Sequence, residues 1–108
     1  MIDPHALAEA RSLAFHAEVA ARIRADASIV DMARARVQQW LSTHPEPAYA
    51  RSWAELVDGP LEGLTAALLD DGEHARALRQ SSPFAGAIDA RTRWRIHAEV
   101  RERFEAMR

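Results

Sequence analysis

Apolar residues recur along this chain at intervals of three and four, the spacing of a helix face. Asp3-Pro4 opens the pattern as an N-cap followed by a proline at the first helical position. Ala8, Ser12, Phe15, Val19 and Ile23 then form a first stripe, which predicts a helix over residues 4–24. The stripe is thin, and Leu7 and Leu13 lie beside it, so this helix is expected to be weakly anchored at its start. Asp26 caps a second helix with a fuller stripe of Ile29 or Val30, Ala33, Val37, Trp40 and Leu41. Thr43-His44-Pro45-Glu46-Pro47 ends it, because a proline steers the residue before it out of the helical region.

Pro47 is expected to start a third helix, with Tyr49, Trp53, Leu56 and Val57 at i, i+4, i+7 and i+8. Asp58-Gly59-Pro60 stops the chain and restarts it as a short fourth helix marked by Leu61, Leu64 and Leu68. Asp70-Asp71-Gly72 breaks that helix, and residues 73–80 form a fifth. Asp89 caps a last helix over 90–106, with Ile96, Val100, Phe104 and Met107 as its stripe and Trp94 and His97 on its flanks. Nowhere does a two-residue alternation with β-branched enrichment predict a strand. The expected fold is all-α, a single small domain of five to six helices. Two longer amphipathic helices fill 1–42, short helices fill 47–80, a Ser-Pro-Phe-Gly turn covers 81–89, and a C-terminal helix covers 90–107.

Composition tempers this picture. The 108 residues allow one domain, and although 48% are hydrophobic, 23 of them are alanine. Alanine favours helix but buries little area, whereas each larger aliphatic side chain stabilises by roughly 1.5–3 kcal/mol when buried, so the core is modest. The absence of cysteine excludes disulfides and thiolate metal sites. The N-terminal segment has no charged region followed by an apolar run, and no stretch approaches the roughly 18 apolar residues of a membrane span. A cytoplasmic protein without membrane contact is expected. All 14 basic residues are arginine, a bias that GC-rich bacterial coding explains.

A net charge of −2 conceals an uneven distribution. Residues 1–42 are balanced, residues 43–75 carry −6, and residues 76–108 carry +4. A basic C-terminal third suits an acidic partner or nucleic acid, although a domain that binds duplex DNA unaided is usually more basic overall.

Residues 78–94, LRQSSPFAGAIDARTRW, depart most from the alanine-rich background. Pro83 should end the fifth helix, Gly86 can take a positive φ without strain, and Phe84 and Ile88 can dock the turn on the core. Arg79 precedes the turn, while Arg91 and Arg95 follow it one helical turn apart beside Trp94. Arginine and tryptophan are over-represented among the residues that dominate interface energetics. Arg79, Ser81, Ser82, Pro83, Phe84, Arg91, Trp94 and Arg95 are therefore the candidate partner-binding residues. The plainer alternative is that the apolar ones are core and the arginines merely solvated.

Other constellations carry less. His5, His16, His44, His74 and His97 show no metal-binding spacing, and Asp70, Asp71 and Glu73 lack that of a calcium loop. There is no glycine-rich phosphate loop and no GxSxG elbow, and no base lies near Ser81 or Ser82 in sequence. Neither catalysis, a cofactor nor a metal is expected.

The run LRQSSPFAG, followed by DARTRW and an arginine–glutamate helix, resembles a group of small bacterial antitoxin components of toxin–antitoxin pairs. Within that group it is most similar to the partners of abortive-infection-type nucleotidyltransferase toxins. The match covers residues 78–100, with looser support from a tryptophan-containing helix followed by DGPLEGL. The resemblance implies a non-enzymatic protein that neutralises a cognate toxin, here a nucleotidyltransferase, by direct binding through the turn and the C-terminal helix. Some antitoxins also bind operator DNA, for which this chain has no clear motif. Two alternatives stay open: a nucleic-acid-binding regulator using the basic third, and a homodimeric helical module pairing through the first helix.

Overall fold

The structure, a computed structural model, describes residues 2–107. It contains six helices, α1 (Pro4–Arg22), α2 (Ala27–Leu41), α3 (Ala50–Asp58), α4 (Leu61–Leu69), α5 (Glu73–Arg79) and α6 (Ala90–Ala106), and no strand among the described residues. Three helices start at the expected aspartates. Asp3 accepts from the His5 amide at 3.0 Å, Asp26 from the Ser28 amide at 3.1 Å, and Asp89 from the Thr92 amide at 3.0 Å. Each carboxylate satisfies a backbone donor that has no partner inside the helix.

The third helix starts later than Pro47. The Pro47 carbonyl accepts from the Ala50 amide at 3.1 Å, closing a turn at Ala48–Tyr49 before the helix proper begins. Pro45 and Pro47, two residues apart, hold this entry off the helical path. The fifth helix ends at Arg79, with Gln80 as its C-cap.

Helix α1 buries only Leu7 in its first two turns and is secured more fully beyond them. It packs against α4, α5 and α6, and its contacts with α4 and α6 are among the most extensive between helices. Its buried residues are Leu7, His16, Val19 and Ala20, whereas Ala8 of the expected stripe is exposed. The inward face is set by different neighbours at the two ends, so no single stripe of large apolar residues marks it.

The main core joins Val19 and Ile23 of α1 to Val37 of α2, Trp53 of α3, Leu68 of α4 and Phe84 of the turn. Trp53 is 1% exposed and donates its indole N–H to the Leu78 carbonyl at 3.2 Å. A second, smaller cluster consists of Leu7, Ile96 and Val100, with Phe104 packed against it, and it holds α6 on α1. No described helix is long and apolar enough to cross a membrane.

Candidate functional site

Residues 81–88 are pinned from three helices. Phe84 is fully buried, Ile88 is 2% exposed, and Phe84 meets the Trp53 ring edge-on at 6.0 Å. Arg36 of α2 donates one guanidinium nitrogen to the carbonyls of Pro83 at 3.2 Å and Ala85 at 2.7 Å. Gly86 adopts φ +85°, which a side chain would strain even though the space around it is open. The turn is thus a built object, clamped by apolar burial inside and by an arginine outside.

The link to α1 is a histidine–serine contact that sequence separation concealed. His16 Nδ1 lies 2.7 Å from the Ser12 carbonyl, which can only accept, so Nδ1 carries the proton. Nε2 then accepts from the Ser82 hydroxyl at 2.7 Å, and Ser82 Oγ in turn accepts from the Phe84 amide at 3.1 Å. Burial pushes the His16 pKa down to about 4, the Arg79 charge adds to the effect, and the bond to Ser12 opposes it. His16 is therefore neutral near pH 7. The His16–Ser82 bond ties α1 to the turn. Its sequence signal was present: His16 falls between Ser12 and Val19 on the apolar face of α1, where a buried, hydrogen-bonded histidine is the ordinary outcome.

Arg79 differs from expectation. It is 5% exposed and donates Nη1 to the Asp70 carbonyl, tying the end of α5 to the connection before it. Its Nε has no partner, and among the described residues no carboxylate lies within ion-pair distance of its guanidinium. Burial pulls its pKa below the usual arginine range, and the charge of Asp71 opposes that.

Between α1, the α2–α3 connection, the turn and α6 lies an open cleft of about 520 Å³. Phe15, Trp40 and Tyr49 contribute aromatic walls, with Trp40 and Tyr49 edge-to-face at 4.9 Å. Arg79, Arg93, His16 and His97 supply its basic groups, and none of its lining residues is acidic. Burial chiefly, and then the charges of Arg11 and Arg93, hold the His97 pKa below its ordinary value.

A second surface lies on the outside of α6. Arg91, Trp94, Arg95 and Ala98 are all exposed and span about 100° of helical arc. They face away from Ile96 and Val100, which hold the helix to α1. Trp94 is 70% exposed, and its ring meets His97 edge-on at 6.4 Å. Arg95 is steadied by Glu18 at 3.2 Å and Glu99 at 3.7 Å.

The eight candidate residues therefore separate. Pro83 and Phe84 are corrected as contact residues: both are buried, because the apolar turn closes the core. Arg79 is corrected likewise, being held inside by its bond to Asp70. The Ser82 hydroxyl is committed to His16 and the Phe84 amide, and Ser81 lines the cleft. Arg91, Trp94 and Arg95 alone form an outward patch. Comparison with protein-family models, with curated proteins and with solved structures finds no match to the chain.

Proposed function

We propose that the chain is an antitoxin-type binding protein that engages another protein through the outward face of α6. The observation that carries this reading is Trp94, 70% exposed on a capped and packed helix, with Arg91 and Arg95 beside it. A large aromatic ring left in water contributes nothing to folding, whereas tryptophan and arginine together are typical anchors of protein interfaces. The capping carboxylate of Asp89 and the buried Ile96 and Val100 present this patch on a formed helix, so little ordering is lost on binding. The resemblance of residues 78–100 to antitoxins of nucleotidyltransferase toxins names the kind of partner, a cytoplasmic toxin with an anionic substrate site.

Nucleic acid is the less favoured partner. Arg95 and Arg101 are already paired with glutamates on the same helix, and the chain carries a net negative charge. The deciding experiment is co-expression with the product of the adjacent gene, scored for toxicity and rescue, followed by co-purification at moderate salt. Trp94→Ala combined with Arg91→Glu should abolish both rescue and the complex while leaving the melting temperature unchanged. Unaltered rescue would overturn the reading. Retention that vanishes steeply with salt would favour nucleic acid, and a dimer of the isolated chain disrupted by the same substitutions would favour self-association.

A further inference from the structure

The cleft on the other flank of α6 has a feature that packing does not account for. Arg79 is 5% exposed, yet among the described residues no carboxylate lies within ion-pair distance of it. A guanidinium stays protonated, and this one has a single carbonyl as acceptor and an orphaned Nε, with only the fields of Asp71, Asp70 and Glu9 to offset its charge. Leaving a buried charge unpaired is strongly destabilising unless another group completes it. With Nη1 bound to the Asp70 carbonyl and Nε enclosed by the protein, Nη2 is the guanidinium nitrogen left to meet a ligand. A charge-assisted hydrogen bond from that nitrogen suits one oxygen of a carboxylate or phosphate.

Arg79 borders two hollows. The smaller, about 110 Å³, also contains Glu9, whose carboxylate would repel an anion. The larger, about 520 Å³, has no acidic lining residue although the chain carries 16 acids. Its size falls within the roughly 300–1,000 Å³ of small-molecule sites, which combine apolar walls with a few convergent polar groups. Here the walls are Phe15, Trp40 and Tyr49, and the polar groups are Arg79, Arg93 and Ser81. We propose that this cleft binds a small ligand that joins a planar ring to an oxyanion, the ring against Trp40 and Tyr49 and the oxyanion against Arg79. The shared recognition chemistry is the oxyanion, supplied either as a phosphate monoester on a nucleoside or as a carboxylate on an aromatic ring. This site is separate from the outward patch of Arg91, Trp94 and Arg95, and its occupancy does not depend on the protein partner.

The test is a titration of the full chain followed by amide and side-chain NMR, with adenosine monophosphate, benzoate, adenosine and inorganic phosphate as probes. Adenosine monophosphate or benzoate should saturate at about millimolar concentration or below, shifting the Trp40 indole and Arg79 Nε resonances. Uncharged adenosine should bind at least about tenfold more weakly than its monophosphate, because it leaves the guanidinium unpaired. Tighter binding of adenosine monophosphate than benzoate identifies a phosphate ligand, and the reverse a carboxylate. The His97 ring proton should titrate at higher pH in the bound state, since an anion relieves the field of Arg11 and Arg93. Arg79→Gln should weaken binding about tenfold or more, and because its loss also removes the bond to Asp70, the rim variants Tyr49→Ala and Arg93→Gln provide the check if it fails to fold. Failure of both ring-bearing anions to saturate at about 10 mM overturns the proposal, as does equal affinity for adenosine and its monophosphate, or unchanged affinity in both rim variants.

Discussion

Residues 81–88 and helix α6 are neighbours in the chain, yet the turn is held from three helices and α6 packs extensively against α1 alone. In the turn, Phe84 and Ile88 sit in the main core and the carbonyls of Pro83 and Ala85 are claimed by Arg36. On α6, Ile96 and Val100 pack with Phe104 against Leu7 and its neighbours on α1, and the opposite face carries Trp94 into solvent. The turn SSPFAGAI holds no arginine and α6 holds five, yet the two adjoin in one segment that reads as a single candidate contact region. Their difference teaches that a side chain's composition says little about its availability: the turn spends its distinctive residues on being fixed, and α6 presents its own.

Substitutions should expose that contrast in graded fashion. Phe84→Ala removes a fully buried ring from the main core and should cost about 3–5 kcal/mol in denaturant unfolding; a loss as small as that of a surface residue would dissolve the distinction. Acid should loosen the same turn through His16. The folded pKa of about 4 lies below the ordinary 6.5, so between those values the unfolded chain binds the extra proton and stability falls as pH falls. The loss should begin near pH 6.5, reach about 3 kcal/mol by pH 4 and not grow further from this group, as a series of unfolding curves on His16→Gln and the parent chain can show.

On the other side of the comparison, Ile96→Ala should cost about 2 kcal/mol, at the low end for a buried isoleucine, because the cluster around it is small. Hydrogen exchange should report that loss as faster opening of α6 amides with little change in α2 and α3; equal acceleration throughout would make α6 part of one cooperative unit with the turn. The smallest effect on stability belongs to Trp94→Ala, within about 0.5 kcal/mol, since the ring is mostly in water. Its effect on partner capture should be large, and a matched drop in melting temperature would mark Trp94 as structural.

Much of the local structure was legible. Asp3, Asp26 and Asp89 begin helices where their side chains can accept from backbone amides, and Gly86 takes the positive φ that no other residue type in the turn would tolerate. Phe84 and Ile88 were identifiable as core anchors, and Trp94 as the aromatic least committed to a stripe. Less was legible about α1, where alanine at so many positions blurs the face that packs. The cleft was not legible at all, because its walls come from residues as distant as Phe15, Trp40, Arg79 and His97.

By itself the sequence determined the order of the helices and most of their ends, α3's start excepted, since caps, prolines and apolar periodicity act over a few residues of backbone. Only the tertiary structure decided which arginine is buried and which is offered to a partner, that His16 meets Ser82 across 66 positions, and that an acid-free aromatic cleft opens beside Arg79. Those outcomes depend on how helices cross, and crossing brings together side chains whose charges and hydrogen bonds leave no periodic trace along the chain.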